Sequence, residues 1–215
     1  YRPMKKSLKI GVLVSGRGSN LQALLDQIQL GKLPAEMAVV ISDQPEATAL
    51  ERLKGTGIRG ELVPKSIYKE RSAFEEKILQ LLEETEVELL VLAGFLRILS
   101  PKFIHDFGKP MINIHPSLLP AFPGLHAQKQ ALDYGVKFAG CTAHFVNEEV
   151  DGGAIILQSV VPVYEEDTES TLAARILVEE HRILPDAIRY YAEGRIKIQG
   201  RQIKILANGG EKANE

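Results

Sequence analysis

Pro110-Met111-Ile112-Asn113-Ile114-His115-Pro116-Ser117-Leu118-Leu119-Pro120 decides how this chain is read. Its first six residues form a short apolar run with the alternation of a strand. Side chains of a strand point to opposite faces in turn, so Ile112 and Ile114 face one way and Asn113 and His115 the other. Pro116 lacks an amide donor and stops the strand from continuing in a central ladder. An amide and an imidazole therefore stand together at the carboxyl end of a strand, where open α/β sheets place their ligands. The pair can donate two hydrogen bonds toward one point, which suits an oxygen that gains negative charge. On local sequence alone, a strand whose polar face meets solvent is the competing reading.

Toward the N-terminus, strand-like and helix-like segments alternate. Leu8–Val14, Met37–Ser42, Gly60–Val63 and the nearly all-apolar Val87–Ala93 read as strands. Leu21–Leu30, Ala47–Leu53 and Ser72–Glu84 carry helical spacing, the last with Phe74, Ile78, Leu81 and Leu82 on one face. Strands separated by helices predict an α/β fold with a doubly wound, mostly parallel, Rossmann-like sheet. After Pro120 the pattern changes. Gln128–Tyr134 is a helix ended by Gly135. Phe138–Val146 and Ala154–Val163 are two strands joined by a long loop, which predicts an antiparallel C-terminal part. A long helix runs from about Thr168 to Ala192, where Pro185 should kink it. Gly200 turns a small hairpin of 196–198 and 203–205.

Three further segments carry candidate chemistry. The first strand runs into Ser15-Gly16-Arg17-Gly18-Ser19-Asn20, and a helix begins at once. Ser19 and Gln22 have the spacing of a capping box. Helix-start amides and glycines suit a single phosphate group, since both the dinucleotide and the Walker A patterns fail here. The other reading is a tight turn with no ligand, and Arg17 is either an added cation or solvent-facing. Gly94-Phe95-Leu96-Arg97-Ile98-Leu99 is unusually apolar for a loop after a strand. It forms a slot for a flat heterocycle, or it is buried under the second half. Ser100-Pro101 reads as a helix cap with proline in the first turn. Asp151 sits before two glycines in the long loop, where an aspartate is often only a turn residue. Near His115, its carboxylate would orient the ring and favour the imidazolium. His144 borders the site or is a hydrogen-bonded core histidine. Glu180 falls on the apolar stripe of Leu172, Ile176 and Leu184, where a carboxylate needs a partner: a substrate amine or amide, or a neighbouring backbone group.

Composition narrows the function classes. The chain has 215 residues, 45% apolar and 25% charged, with a formal net charge of −2. No basic patch of the nucleic-acid-binding kind is evident. The one cysteine, Cys141, forbids an intrachain disulfide and fits a reducing, cytoplasmic setting. No apolar stretch is long enough to span a bilayer. The five histidines, His105, His115, His126, His144 and His181, lack a metal-ligand spacing, so no metal is expected. Met4 reads as a natural start, with Tyr1–Pro3 added ahead of it.

Taken together, Ser15-Gly-Arg-Gly-Ser-Asn20, Leu92-Ala-Gly-Phe-Leu-Arg97-Ile-Leu-Ser-Pro101, Asn113-Ile-His-Pro-Ser-Leu-Leu-Pro120, Pro123-Gly-Leu-His126 and Asp151-Gly-Gly with Ile156-Leu-Gln158 resemble the folate-dependent formyltransferases. They stand in family order over nearly the whole chain. The resemblance implies one formyltransferase domain over 1–206. A phosphate-binding front half spans about 7–115, and a back half of about 116–206 completes the site, with 207–215 a fraying tail. It implies transfer of the formyl group of 10-formyltetrahydrofolate, as co-substrate, to the amine of glycinamide ribonucleotide in purine synthesis. Asn113, His115 and Asp151 would be the catalytic trio. Gly18, Ser19 and Asn20, with Arg71, would hold the ribonucleotide phosphate, and Glu180 its glycinamide end. Arg97, Ile98, Leu99 and Val150, with Asp151, would line the folate slot. His144 and Ser117 would border the site. The partners would be two small molecules, with neither nucleic acid nor membrane; family members can form homodimers. Gln128 departs from relatives that often carry histidine there. Length argues against the transfer-RNA-acting and hydrolytic relatives, which carry an added domain. A non-catalytic sensor and a metal hydrolase are the remaining rivals.

Overall fold

Alternation along the first strand sets the two layers of the molecule. In the computed structural model, which describes residues 6–46 and 48–208, β1 is Leu8–Val14. Ile10, Val12 and Val14 pack into one apolar core and Leu13 into the other, on the opposite face of the sheet. β4 (Leu89–Leu92) repeats this, with Leu89 and Val91 on the first face and Leu90 and Leu92 on the second. A strand covered on both faces must be apolar throughout, which is why these two are. The N-terminal residues 1–3, read above as an addition, and most of the tail fall outside the described residues.

The elements follow the alternation expected. After β1 come α1 (Ser19–Gln29), β2 (Ala35–Ser42), a 3-10 helix at Thr48–Leu53, β3 (Gly60–Leu62), α2 (Arg71–Glu84), β4, α3 (Pro101–Phe107) and β5 (Met111–His115). Then follow α4 (Ala127–Tyr134), β6 (Phe138–Phe145), β7 (Ile155–Pro162), α5 (Glu169–Ala192), β8 (Ile196–Gln199) and β9 (Gln202–Ile205). One sheet has the order β3-β2-β1-β4-β5-β6-β7; β8 and β9 pair separately. The five strands from β3 to β5 are parallel, and β6 and β7 are antiparallel. The chain leaves β1 toward β2 on one side and returns to β4 on the other. Their carboxyl ends therefore part at a topological switch point, and a crevice opens there. α1, α4 and α5 cover one face, α2 and α3 the other.

Two local expectations are corrected. Ser19 does not cap α1: Gly18, in the left-handed region at φ 76°, is the N-cap, and no side chain caps the helix. The intended partner Gln22 turns instead to Asp26, one turn on. The run 87–93 forms a strand only over Leu89–Leu92: the Val87 amide still bonds the Leu82 carbonyl at the end of α2, and the Glu88 amide makes the first bond to β1, on the Lys9 carbonyl. The expected short helix is a 3-10 helix over Thr48–Leu53. Ser100 caps α3 with Pro101 in its first turn, as read. α5 opens on a capping box of Thr168 and Thr171 and passes through Pro185 as one element. Among the described residues, no helix is long and apolar enough to cross a membrane.

β6 crosses close to β7 because Gly140, paired with Val160, has no side chain. A Cβ there would drive into the Ser159 carbonyl and the Leu118 side chain. Gly140→Ala is expected to destabilise the protein by about 2 kcal/mol or more, as overpacked sites do. Guanidinium unfolding of the variant beside the parent checks this; an unchanged midpoint would show that the strands can part at no cost.

Candidate active site

The crevice at the switch point is a cleft of about 890 Å³. It is lined by the glycine loop after β1, the apolar loop after β4, the end of β5, the loop before α4, the loop between β6 and β7, and one face of α5. The first two loops are tied together: the Ser15 amide donates to the Gly94 carbonyl at 3.0 Å, and the Leu96 amide to the Ser15 hydroxyl at 3.0 Å.

At the glycine loop, Gly18 is required twice over. Its φ is 76°, and a Cβ would stand 2.9 Å from that of Ala49. Arg52 donates from Nε to the Arg17 carbonyl at 2.7 Å, turning that oxygen toward the 3-10 helix. The start of α1, uncapped by any side chain, faces the cleft with its amides and its positive dipole end. Ser19 and Asn20 line the cleft with Gly18. The Asn20 amide nitrogen donates to Glu180 Oε1 at 3.2 Å, while its own oxygen is buried without a partner.

The apolar loop is held from behind. Arg97 turns its guanidinium away, pairing Nε with the buried Asp43 carboxylate at 2.6 Å and lying over the Phe74 ring. Arg71 donates to the Ile98 carbonyl at 2.6 Å and does not line the cleft. It stands with the apolar loop rather than with Gly18–Asn20. The buried Glu75 accepts from the Ser100 amide and hydroxyl at 2.9 and 3.0 Å. Leu99 is buried, whereas Leu96 and Ile98 are 65% and 64% exposed at the cleft mouth, where Val150 joins them.

Asn113, His115 and His144 of the sheet meet Asp151 at the end of β5. Asn113 pairs with His144 and His115 with Thr142 across β5 and β6, so all four share the face of Met111, away from Ile112 and Ile114. A carbonyl only accepts, so His144 must donate from Nδ1 to the Phe145 oxygen at 2.8 Å. Burial lowers the pKa of His144 and keeps the ring neutral. Its Nε2 then accepts from the Asn113 amide at 3.3 Å, leaving the second amide hydrogen of Asn113 for the cleft. By the same logic His115 Nε2 donates to the Phe122 carbonyl at 2.9 Å. His115 Nδ1 faces Asp151 Oδ2 at 3.6 Å, an ion pair when the ring carries both protons. The Gly124 amide donates to the same carboxylate oxygen at 2.8 Å. Asp151 Oδ1 lies 3.9 Å from His144 Nε2.

The structure thus brings Asn113, His115, His144 and Asp151 to one point. Ser117, expected at the border, is buried outside the cleft and bonds the Ala121 carbonyl within its own loop. Thr142 and Gln158 fasten that loop through Ser117 O, Leu119 N and Leu119 O. The Phe122 carbonyl and Gly124 amide were not legible as site groups. They are backbone atoms, and Pro-Gly-Leu-His beside Asp-Gly-Gly was the one hint that the two loops meet. Among the described residues, no cluster suited to a metal ion is present.

Burial pushes the Glu180 carboxyl up to about 7, from an ordinary 4.5, while the Asn20 amide pulls it down. The folded protein then holds more protons than the unfolded chain between about 4.5 and 7. Stability falls as pH rises through that window, and the cost is complete above it. Glu180→Gln is expected to leave the ligand-free protein unchanged at pH 4 and to stabilise it at pH 8 by on the order of 2–3 kcal/mol. Urea unfolding at the two pH values measures this. Equal stability of parent and variant at pH 8 would mean that water reaches the carboxylate.

The chain is similar to known proteins in sequence and fold. The family model described as Formyl transferase matches residues 8–188. The chain is 41% identical over 191 residues to the phosphoribosylglycinamide formyltransferase of Escherichia coli, covering 89% of this chain and 90% of that protein. It is 43% identical over 194 residues to the human trifunctional purine biosynthetic protein adenosine-3, covering 90% of this chain. It spans only 19% of the length of that protein and of its bovine counterpart. The crystal structure of glycinamide ribonucleotide transformylase 1 from Symbiobacterium toebii superposes with a TM-score of 0.92 at 49% identity, covering 96% of this chain and 98% of that one. The glycine loop, the apolar loop, the end of β5 and the aspartate loop all lie within the matched residues, and the chain belongs to the formyl transferase family.

Proposed function

We propose that this chain transfers the formyl group of 10-formyltetrahydrofolate to the amine of glycinamide ribonucleotide, a step of purine synthesis, without a metal. The observation that carries the reading is the convergence of Asn113, His115, His144 and Asp151 midway between two differently built lobes of one cleft. The glycine loop, with helix-start amides, suits a phosphate. The apolar loop suits a flat ring, with backbone groups at its edge. The cleft-forming segments of this chain lie within the residues matched to the family, and the E. coli and S. toebii proteins carry this activity in their names.

Gly18, Ser19 and Asn20 hold the ribonucleotide phosphate, and Glu180 receives the glycinamide end. The neutral amine or amide of that end donates a hydrogen bond to Glu180 and so supplies the partner a buried carboxyl needs. Backbone groups of Arg97, Ile98 and Leu99, with Val150 and the Asp151 loop, read the pterin. Arg71 serves that side of the cleft, and not the phosphate, by holding the Ile98 carbonyl. The amine nitrogen attacks the formyl carbon, giving a tetrahedral intermediate whose oxygen carries the negative charge. The second hydrogen of the Asn113 amide is ready to receive that charge, and neutral His144 holds the amide in the required orientation. His115 adds a second donor when the Phe122 carbonyl yields its Nε2 hydrogen. Collapse breaks the bond to the folate nitrogen. One proton leaves the amine and one reaches that nitrogen, with the His115–Asp151 pair placed to relay it.

Purified chain is expected to consume 10-formyltetrahydrofolate only when glycinamide ribonucleotide is present, and to do so in the presence of a chelator. Folate absorbance follows the reaction. Asn113→Ala and Asp151→Asn should each lower kcat about a hundredfold or more while ribonucleotide binding survives. Glu180→Gln should raise the KM for the ribonucleotide. Consumption without ribonucleotide would redirect the reading to hydrolysis. Binding of both ligands without turnover would make the protein a sensor.

A further inference from the structure

The loop that carries Asp151 is held in a conformation its sequence does not favour. The Gly152 amide closes a turn on the Glu149 carbonyl at 3.1 Å, so Val150 and Asp151 are its two corners. Asp151 has φ 53°, the left-handed region that glycine or asparagine usually fills at such a corner. A non-glycine residue stays there only when its surroundings over-determine it, and such residues cluster at functional sites. One restraint is the Gly124 amide on the Asp151 carboxylate itself. A second acts on the backbone from outside the cleft: Arg201 Nη1 donates to the Gly152 carbonyl at 2.8 Å. The Gly152 residue is thereby gripped at both its N–H and its C=O. Gly153 next to it packs against the Phe145 backbone too closely for any side chain.

Arg201 comes from the turn of the β8–β9 hairpin, beyond residue 188 where the family match ends. The hairpin is a fixed platform. Ile196, Ile203 and Ile205 pack against the main core, and β9 lies against β7, the strand that the Asp151 loop enters. Its base is closed by the Leu206 amide on the Arg195 carbonyl at 2.8 Å and by Arg195 Nε on the Leu206 carbonyl at 2.7 Å. Arg195 in turn lies over the Tyr190 ring at the end of α5. Arg201 is exposed and does not line the cleft, so it can act on the reaction only through the loop.

We propose that the C-terminal hairpin braces the aspartate loop, with Arg201 as the positioning residue that keeps Asp151 against His115. The proposal rests on the reading that Asp151 works with His115. In the full chain, Arg201→Ala is expected to lower kcat roughly two- to tenfold, the effect of one lost hydrogen bond to a charged donor. The KM for glycinamide ribonucleotide should stay within about twofold, since the glycine loop is untouched. Hydrogen exchange at amides of residues 147–153 should quicken, and Arg201→Lys, which keeps a donor, should recover part of both effects. Wild-type kcat and wild-type exchange in Arg201→Ala overturn the brace. So does a loss of kcat, ribonucleotide KM and melting temperature together, which would mark a general structural role. Asp151→Asn is measured alongside. If it keeps full activity, the reading of Asp151 fails, and the exchange of 147–153 in Arg201→Ala alone decides whether the hairpin holds the loop.

Discussion

Strand order reverses between β1 and β4, and the site depends on that reversal. Two neighbouring parallel strands whose following segments leave in opposite directions cannot cover the gap at their carboxyl ends. The glycine loop and the apolar loop both hang over this gap, and Ser15 ties them to each other. Each remains free to specialise because each is secured from behind by a different group: Arg52 on the Arg17 carbonyl, Arg71 and Glu75 on the apolar loop. The cleft is thus a by-product of chain topology that side chains have furnished from two sides.

Asp151 performs a second joining. Its carboxylate meets the Gly124 amide, faces the His115 ring and lies near His144, so the back half of the chain closes onto the end of β5. The two histidines are distinguished by what their other nitrogen touches. His144 is buried, neutral and an acceptor, and so directs the Asn113 amide. His115 has the Phe122 carbonyl at one nitrogen and the Asp151 carboxylate near the other, which fix the ring from both sides. Each ring bonds a backbone carbonyl through a different nitrogen, and the group at the other nitrogen, an amide or a carboxylate, sets its role.

Glu180 shows a cost carried for function. A carboxylate on the apolar stripe of α5, bonded to one amide and otherwise enclosed, weakens the empty protein above neutral pH. Under the proposed function, a substrate group that donates to Glu180 lowers that penalty. Asn20, whose oxygen is buried without a partner, contributes to the same unfilled polar corner.

Much of this was legible along the chain because periodicity is local. Alternation in Leu8–Val14 and Met111–His115, and helical spacing in 72–84 and 169–192, follow from which side chains must leave water. The change from parallel to antiparallel pairing after Pro120 could be read the same way. Asn113 and His115 share a face because they are two residues apart in a strand, and Glu180 sits among apolar residues because of its helical phase. What the chain alone could not decide was every relation between distant segments. Ser19 has the spacing of a cap, yet Gly18 takes that place because the close approach of Ala49 and a positive φ admit only glycine. Arg71 and Ser117 were read into the site by likeness of sequence, and their partners, the Ile98 and Ala121 carbonyls, hold them outside the cleft. The meeting of Asp151 with His115 and Gly124, and of Gly152 with Arg201, links residues 27 to 49 positions apart. Only the packing of β6, β7 and the C-terminal hairpin onto one sheet brings them together, since sequence spacing sets the face on which a side chain stands and tertiary packing sets what it faces.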